Sequence, residues 1–193
     1  MPNPLEPLRR LYRFYFPAVD FELPLAVQRS QAVNRLSDQV IPGWKALFSR
    51  LEHDAVGGKV SRDKLVLYRI EPIEGRPGTF KANSWRPMLF AGFRMRGDTL
   101  HLRGRFTIHP FVQAFTASWL LGVFAITAYV LFMAVFHEQM GIDESMPLSI
   151  PLMCGVLIVG GTLLVRKAWQ WSEHDIDAIS EFLEQTIGAA RGP

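Results

Sequence analysis

The sequence predicts an α+β protein: a curved antiparallel sheet with an early helix and a C-terminal amphipathic helix, interrupted by a two-helix transmembrane hairpin. Three observations support this class. Two long apolar runs contain no Asp, Glu, Lys or Arg. Before the first run, apolar and polar residues alternate with the two-residue period of strands. After the second run, apolar residues recur with the spacing of one helix face.

The N-terminal segment, residues 1–17, combines several prolines with the basic and aromatic run LRRLYRFYF. Because proline disrupts a helix interior, we predict no long regular helix here. Arginine beside tyrosine and phenylalanine suits a membrane headgroup region, so one interpretation is an interfacial segment. The alternative is a lead-in that packs on the following domain.

The cytosolic α+β part begins with a short strand at Ala18 to Leu23. A helix is predicted from Pro24 onward, because proline suits the first turn and apolar residues then recur at helical spacing. Trp44 to Leu51 fit further helical turns. The two-residue period returns at Lys64 to Ile70, and a loop rich in Pro and Gly leads to another strand at Thr79 to Arg86.

The clearest pattern in this part, residues 18–109, is a β-hairpin. Gly97 and Asp98 form a two-residue turn, which fixes the register of the two arms. The predicted pairs are Arg96 with Thr99, Met95 with Leu100, Arg94 with His101, Phe93 with Leu102, Gly92 with Arg103 and Phe90 with Arg105. One face of the hairpin is therefore apolar and the other is basic.

The transmembrane hairpin, residues 111–167, has spans at 111–136 and 148–165 joined by a loop at 137–147. A helix over the first run reaches roughly 39 Å, more than the ~30 Å of hydrocarbon in a bilayer. Arg and Lys flank both spans on the domain side, whereas the loop carries Glu and Asp but neither Lys nor Arg. The positive-inside rule then predicts that both termini are cytoplasmic and that the loop lies outside.

The C-terminal segment, residues 168–193, contains the amphipathic helix. Ser172 and Asp175 resemble a helix N-cap with an acidic residue three positions on, and Gly188 is a plausible stop. The apolar stripe consists of Ile176, Ile179, Phe182, Leu183 and Ile187. This stripe needs a partner, and the apolar face of the sheet is the economical one. A pleckstrin-homology-like half-barrel and a helix-grip-like fold both fit, and neither architecture implies a function.

One stretch resembles a known group of proteins. NSWRPMLFAGF, from Asn83, and GDTLHLRGRFTIHPFVQAF, from Gly97, are similar to small bacterial membrane proteins. In that group an NS-aromatic-x-P strand, a GT-x-L-x-G-x-F-x-x-HP strand and a hydrophobic span follow one another. Asp98 departs from the group, where many members have Gly. The resemblance implies this layout and a location in the bacterial inner membrane, and it implies no particular chemistry.

The sequence predicts no catalytic, metal or cofactor site. Adjacent helical residues point about 100° apart, so the Glu-His-Asp triplets around His53 and His174 do not chelate as units. His101 and His109 lie roughly 26 Å apart along one strand. The single cysteine, Cys154, lies within the second span and is interpreted as a small packing residue. No Gly-rich phosphate loop or nucleophile elbow occurs, so we predict a protein that is not an enzyme.

The basic hairpin face is the first candidate contact surface. Its residues are Arg94, Arg96, His101, Arg103 and Arg105. Such a face attracts anionic lipid headgroups by about 1 kcal/mol for each charge near the membrane surface. The alternative is a solvated face that also satisfies positive-inside insertion. Nucleic acid is not an expected partner, because Phe93 and Phe106 point away from the arginines.

A stripe of small residues in the first span is the second candidate surface. Ala114, Ser118 and Gly122 recur every four residues, a spacing that lets two helices approach closely. The stripe either packs within the hairpin or serves self-association or docking on a larger membrane protein.

Together these features predict a non-enzymatic module, held in the lipid bilayer, that acts through protein or anionic-lipid contacts. One alternative is a carrier of a small hydrophobic ligand in a pocket between the sheet and the C-terminal helix, lined by residues such as Phe93, Phe106 and Phe182. The other alternative is an accessory subunit or inhibitor of a larger membrane complex.

Overall fold

The computed structural model describes residues 6–42, 53–73, 76–80, 85–136 and 149–188. The described chain separates into two compact units. Unit 1 contains Met1–His109 together with Ala168–Pro193, and unit 2 is Pro110–Lys167. Unit 1 therefore draws on chain segments from both sides of unit 2.

Unit 1 is an α+β assembly. Its helices are α1 (Glu6–Tyr15), α2 (Arg29–Gln39) and α5 (His174–Ile187). Its strands are β1 (Ala18–Pro24), β2 (Ile41–Pro42), β3 (Ala55–Val60), β4 (Lys64–Ile70), β5 (Pro72–Ile73), β6 (Arg76–Phe80), β7 (Met88–Arg96) and β8 (Thr99–Thr107). Unit 2 contains α3 (Pro110–Phe136) and all but the last three residues of α4 (Ser149–Gln170).

Six strands form one open sheet in the order β1-β8-β7-β4-β3-β2, and β5 and β6 form a separate two-stranded sheet. The register predicted for the β7–β8 hairpin is confirmed at all six pairs. The expectation of a purely antiparallel sheet is wrong, because β2 pairs with β3 in parallel. β2 is only two residues long, and the twelve residues between Pro42 and Ala55 are enough for the crossover that parallel strands require.

The core lies between one face of this sheet and two helices. Strand residues on that face alternate with residues on the opposite face, as the two-residue period requires. The buried strand residues are Leu23, Leu65, Leu67, Leu89, Ala91, Phe93, Leu102 and Phe106. Ala32 and Leu36 of α2 pack in the same cluster, and α5 contributes Ile179, Leu183 and Ile187, which lie on one face at four-residue spacing.

Three local expectations are corrected by the structure. The N-terminal segment forms helix α1, because Pro7 occupies its first turn, where no backbone N–H is needed. Helix α2 begins at Arg29, since the chain remains extended through Pro24 to pair with β8. Glu173, and not Ser172, takes the N-cap position of α5, without a side-chain capping bond.

Other expectations differ less from the structure or fall outside it. The expected strand at 79–86 appears as β6, Arg76–Phe80, which pairs with β5 in the described residues. The helical turns expected at 44–51 and the loop at 137–147 lie outside the described residues. Helix α4 continues past the expected end of the second span, to Gln170.

In unit 2, α3 and α4 are both long and apolar enough to cross a membrane, and most of their surface is exposed. The indole ring of Trp119 covers Gly161, where an added Cβ would lie 2.5 Å from a ring carbon. Ala114, Ser118 and Gly122 are all exposed, with no heavy atom near an added Cβ at Gly122. The stripe is thus open to a second helix, and its use for association stays a prediction.

Candidate functional site: the outer face of the sheet

The outer face is the side of the six-stranded sheet opposite the core. Pleating sends Arg103 and Arg105 of β8 to this face, because Leu102 and Phe106 point into the core. Register then places Gly92 of β7 beside Arg103 and Phe90 beside Arg105. The basic hairpin face predicted from the sequence is therefore part of the outer face.

Strand β1 adds two carboxylates to this face. Asp20 pairs in register with Arg105 and Glu22 with Arg103. The guanidinium of Arg105 donates a hydrogen bond of 2.8 Å to Asp20, and Arg96 donates one of 3.2 Å to Glu22. The Nδ1 atom of His101 lies 3.1 Å from Oε1 of Glu22, in a geometry that makes no hydrogen bond. The side chains of three of the five predicted residues, Arg96, His101 and Arg105, thus lie within 3.2 Å of a carboxylate oxygen.

The remaining cations of the outer face are exposed. Within the described part of the chain, no carboxylate forms an ion pair with Arg94, Arg103 or Lys64. Lys64 pairs with Gly92, which in turn pairs with Arg103. Because neighbouring strands are about 4.8 Å apart, the backbones of Arg103 and Lys64 lie roughly 10 Å apart across a glycine. We define this set, Lys64, Arg94 and Arg103, as the open cation cluster.

The side chains of this cluster are of the kinds that bind anions. Guanidinium and ammonium groups donate charge-assisted hydrogen bonds to phosphate or carboxylate oxygens. Gly92 keeps the space between the two flanking cations free of a side chain. In the described ranges, no group of three or more His, Cys, Asp or Glu residues gathers where a metal ion would bind.

Beside the cluster, the outer face is apolar. Val66 and Tyr68 of β4 and Phe90 of β7 are half-buried there. Burial raises the pKa of the Tyr68 phenol above its ordinary value of 10.0, because the phenolate loses hydration.

Tyr68 therefore gives a prediction for alkaline pH. A phenol whose pKa is raised by folding stabilises the fold fully below the unfolded-state pKa, and this contribution is lost as pH rises through the folded-state pKa. Absorbance at the phenolate band, taken as the difference between the native chain and Tyr68→Phe, should titrate above 10.0 in the folded protein. A midpoint at the ordinary tyrosine value would contradict the burial of this side chain. In the Tyr68→Phe variant, the loss of stability above that pH should be smaller.

A second charged group lies on the core side, where α5 meets the sheet. The carboxylate of Asp175 is fully buried, with 0% exposure. Arg86 binds it in bidentate fashion, with Nε 2.6 Å from Oδ2 and Nη2 3.0 Å from Oδ1. Arg69 of β4 donates a third hydrogen bond, at 3.1 Å. These contacts tie the first turn of α5 to the sheet.

Two further carboxylates belong to this group of charges. We call the group the buried ion cluster; its members are Asp54, Arg69, Glu71, Arg86 and Asp175. Glu71 accepts a hydrogen bond of 2.9 Å from Arg86, and Asp54 accepts one from Arg69. Burial alone would lower the pKa of Arg69, but the hydrogen bonds and charges of Asp54 and Asp175 outweigh it and raise the pKa. Arg69 is thus held as a cation.

Sequence reasoning missed two parts of this arrangement. Lys64 joins the open cation cluster only through its pairing with Gly92, which depends on contacts between distant strands. The sequence contained one weak indication of the buried ion cluster. In KLVLYRI, the two-residue period puts Arg69 on the same side of the strand as Leu65 and Leu67. A cation on a core-facing side requires a buried counter-ion, but the pattern does not identify Asp175 as that ion.

Comparisons with known proteins give no relative from which a role could be transferred. No protein-family model, no curated protein and no solved structure matches this chain.

Proposed function

We propose that this chain is a membrane-anchored, non-enzymatic cytosolic module that acts through contacts of its outer face with an acidic partner, either a protein or anionic lipid. The proposal rests on the open cation cluster. Lys64, Arg94 and Arg103 come from three adjacent strands and surround a glycine, and none of the three forms an ion pair with a carboxylate in the described part of the chain. The most favourable interaction of such a surface is binding to an anionic group.

The two long helices support the membrane part of the proposal. Leu121 of α3 and Leu152 of α4 are among many large apolar side chains exposed on unit 2. A continuous apolar surface of this kind requires a non-aqueous environment. Arg166 and Lys167 follow the second span as arginines precede the first, so we place both termini in the cytoplasm of a bacterium and the hairpin in its inner membrane.

For the architecture of the domain we favour a helix-grip-like arrangement over a pleckstrin-homology-like half-barrel. The sheet is open, and two helices, α2 and α5, share its core face. A half-barrel closed by one C-terminal helix leaves no place for α2 there.

The carrier alternative has less support. Phe93 and Phe106 are buried in the core cluster and Phe182 packs against it. A groove of about 550 Å³ lies elsewhere, between the segment Leu25–Arg29 and the tip of the β7–β8 hairpin. For the accessory-subunit alternative, the outer face would be the contact surface, so the experiment below tests it as well.

The proposal predicts charge-dependent partner capture. The triple variant Lys64→Gln, Arg94→Gln, Arg103→Gln removes three positive charges from the open cation cluster. At about 1 kcal/mol for each charge, binding of an acidic partner should weaken by about a hundredfold. The measurement is quantitative mass spectrometry of lipids and proteins that co-purify with the full chain from native membranes in mild detergent.

A matched control changes the net charge by the same amount elsewhere. Gln31→Glu, Asn34→Glu and Ser37→Glu lie on the exposed side of α2, away from the sheet. This variant should retain its partners. Equal losses in both variants, or no loss in either, would refute the role of the outer face, whereas the identity of the lost component decides between lipid and protein.

A further inference from the structure

Helix α1 is amphipathic, with its charges on one side. At 100° per residue, Glu6, Arg10 and Arg13 fall within about 60° of arc. Leu11, Tyr15 and Tyr12 cover the opposite side, and Phe14 lies at its border, about 40° from Arg10. Leu11, Tyr12 and Phe14 are 54%, 53% and 47% exposed, so about half of the surface of each of these side chains is accessible.

The helix is nevertheless attached to unit 1 at its C-terminal end. Phe16, the next residue, is buried, and its ring contacts that of Tyr12 at a centroid distance of 5.1 Å. The chain then enters β1, which is fixed to β8 over its whole length. This attachment defines the end of the sheet at which α1 lies.

That end is the one from which the chain enters the first apolar helix. Ala18 pairs with Thr107, about 5 Å away. Helix α3 begins at Pro110, three positions after Thr107 in the sequence. Tyr15 is likewise three residues from Ala18, so chain geometry alone keeps the end of α1 within about 27 Å of Pro110. The tip of the β7–β8 hairpin is roughly 30 Å farther along the sheet.

The level of Pro110 in a bilayer follows from helix length. The 27 residues of α3 extend about 40 Å, beyond the ~30 Å of hydrocarbon, so its ends lie among headgroups. Tyrosine and phenylalanine are suited to that layer, and arginines on the opposite side of a helix suit anionic lipids. The exposed aromatic residues, the basic charge and the position of α1 along the chain therefore all favour lipid as the partner of this helix.

We propose that α1 lies in the membrane interface, with Leu11, Tyr12 and Phe14 inserted among the lipids and Arg10 and Arg13 near anionic headgroups. This inference rests on the membrane anchorage proposed above and adds a second lipid contact to it. The helix holds the end of the sheet at which the chain leaves β8 against the bilayer, whereas the outer face remains a separate surface.

The test uses the full chain in vesicles, with a polarity-sensitive fluorophore on single cysteines. Labels are introduced by Leu11→Cys, Met95→Cys and Leu121→Cys, each combined with Cys154→Ala. Position 95 is 62% exposed at the far tip of the sheet, and position 121 is 72% exposed in the middle of α3. Quenching by aqueous iodide and by spin-labelled lipid is measured in phosphatidylcholine vesicles with and without phosphatidylglycerol.

The inference predicts that the label at position 11 is quenched by shallow spin-labelled lipid and is about fivefold less accessible to iodide than the label at position 95. Arg10→Glu with Arg13→Glu should remove most of this protection in vesicles that contain phosphatidylglycerol. Iodide access at position 11 equal to that at position 95 would overturn the inference. Protection from iodide without lipid quenching would place a protein on this face and would also overturn it.

The label at position 121 separates this inference from the anchorage on which it rests. If that label is quenched by lipid while position 11 is open to iodide, the inference fails and the anchorage stands. If the label at position 121 is itself accessible to iodide, the membrane anchorage is refuted, and the inference loses its basis with it.

Discussion

Residues 1–109 produced without α5 are expected to remain unfolded. The missing helix removes Ile179, Leu183 and Ile187, all buried in the core of unit 1. Burial of each such side chain contributes about 1.5 to 3 kcal/mol, so the loss is about 5 to 9 kcal/mol. That loss is comparable with the whole stability of a typical domain, about 5 to 15 kcal/mol.

The matched control restores α5 without the spans. A chain in which residues 110–167 are replaced by a flexible Gly/Ser linker of about 20 residues, with a mean reach of about 25 Å, keeps every core residue. It should be soluble and give the near-ultraviolet circular dichroism of a packed core, whereas residues 1–109 alone should not. A cooperative unfolding transition in the fragment 1–109 would show that α5 is dispensable.

The substitution Asp175→Asn should loosen the attachment of α5 strongly. It removes the charge that Arg69 and Arg86 share and leaves two guanidinium groups largely buried without it. Breaking a buried ion pair from one side costs about 3 to 5 kcal/mol, because the remaining charge stays desolvated. Amide hydrogen exchange of peptides covering α5 should accelerate by about two to four orders of magnitude.

Asp177→Asn is the control for this experiment. Asp177 lies in the same first turn of α5 but is exposed, so both variants lose equal charge near the helix N-terminus. Exchange in α5 should change little in this variant, by less than about tenfold. Similar exchange in the two variants would mean that the buried ion cluster does not hold α5 on the sheet.

Local periodicity carried most of what the sequence predicted correctly. The β7–β8 register followed from the Gly97–Asp98 turn, because a two-residue loop permits only one alignment of the arms. The α+β class and two long apolar helices followed from residue spacing and from charge-free length. The expectation for the N-terminal segment was wrong because the rule against proline applies to helix interiors, whereas Pro7 lies in the first turn of α1.

Long-range pairing decided the rest. Proximity of Asp20 to Arg105, and of Lys64 to Gly92, depends on which strands are neighbours in the sheet, and such contacts leave no periodic trace in either segment. The same holds for Asp175, whose partners lie 106 and 89 residues away. The sequence by itself determined which segments are strands, helices and spans, because those depend on neighbouring residues. Only the tertiary structure decided which charges are neutralised and which remain exposed, because electrostatic partners are set by distance in space.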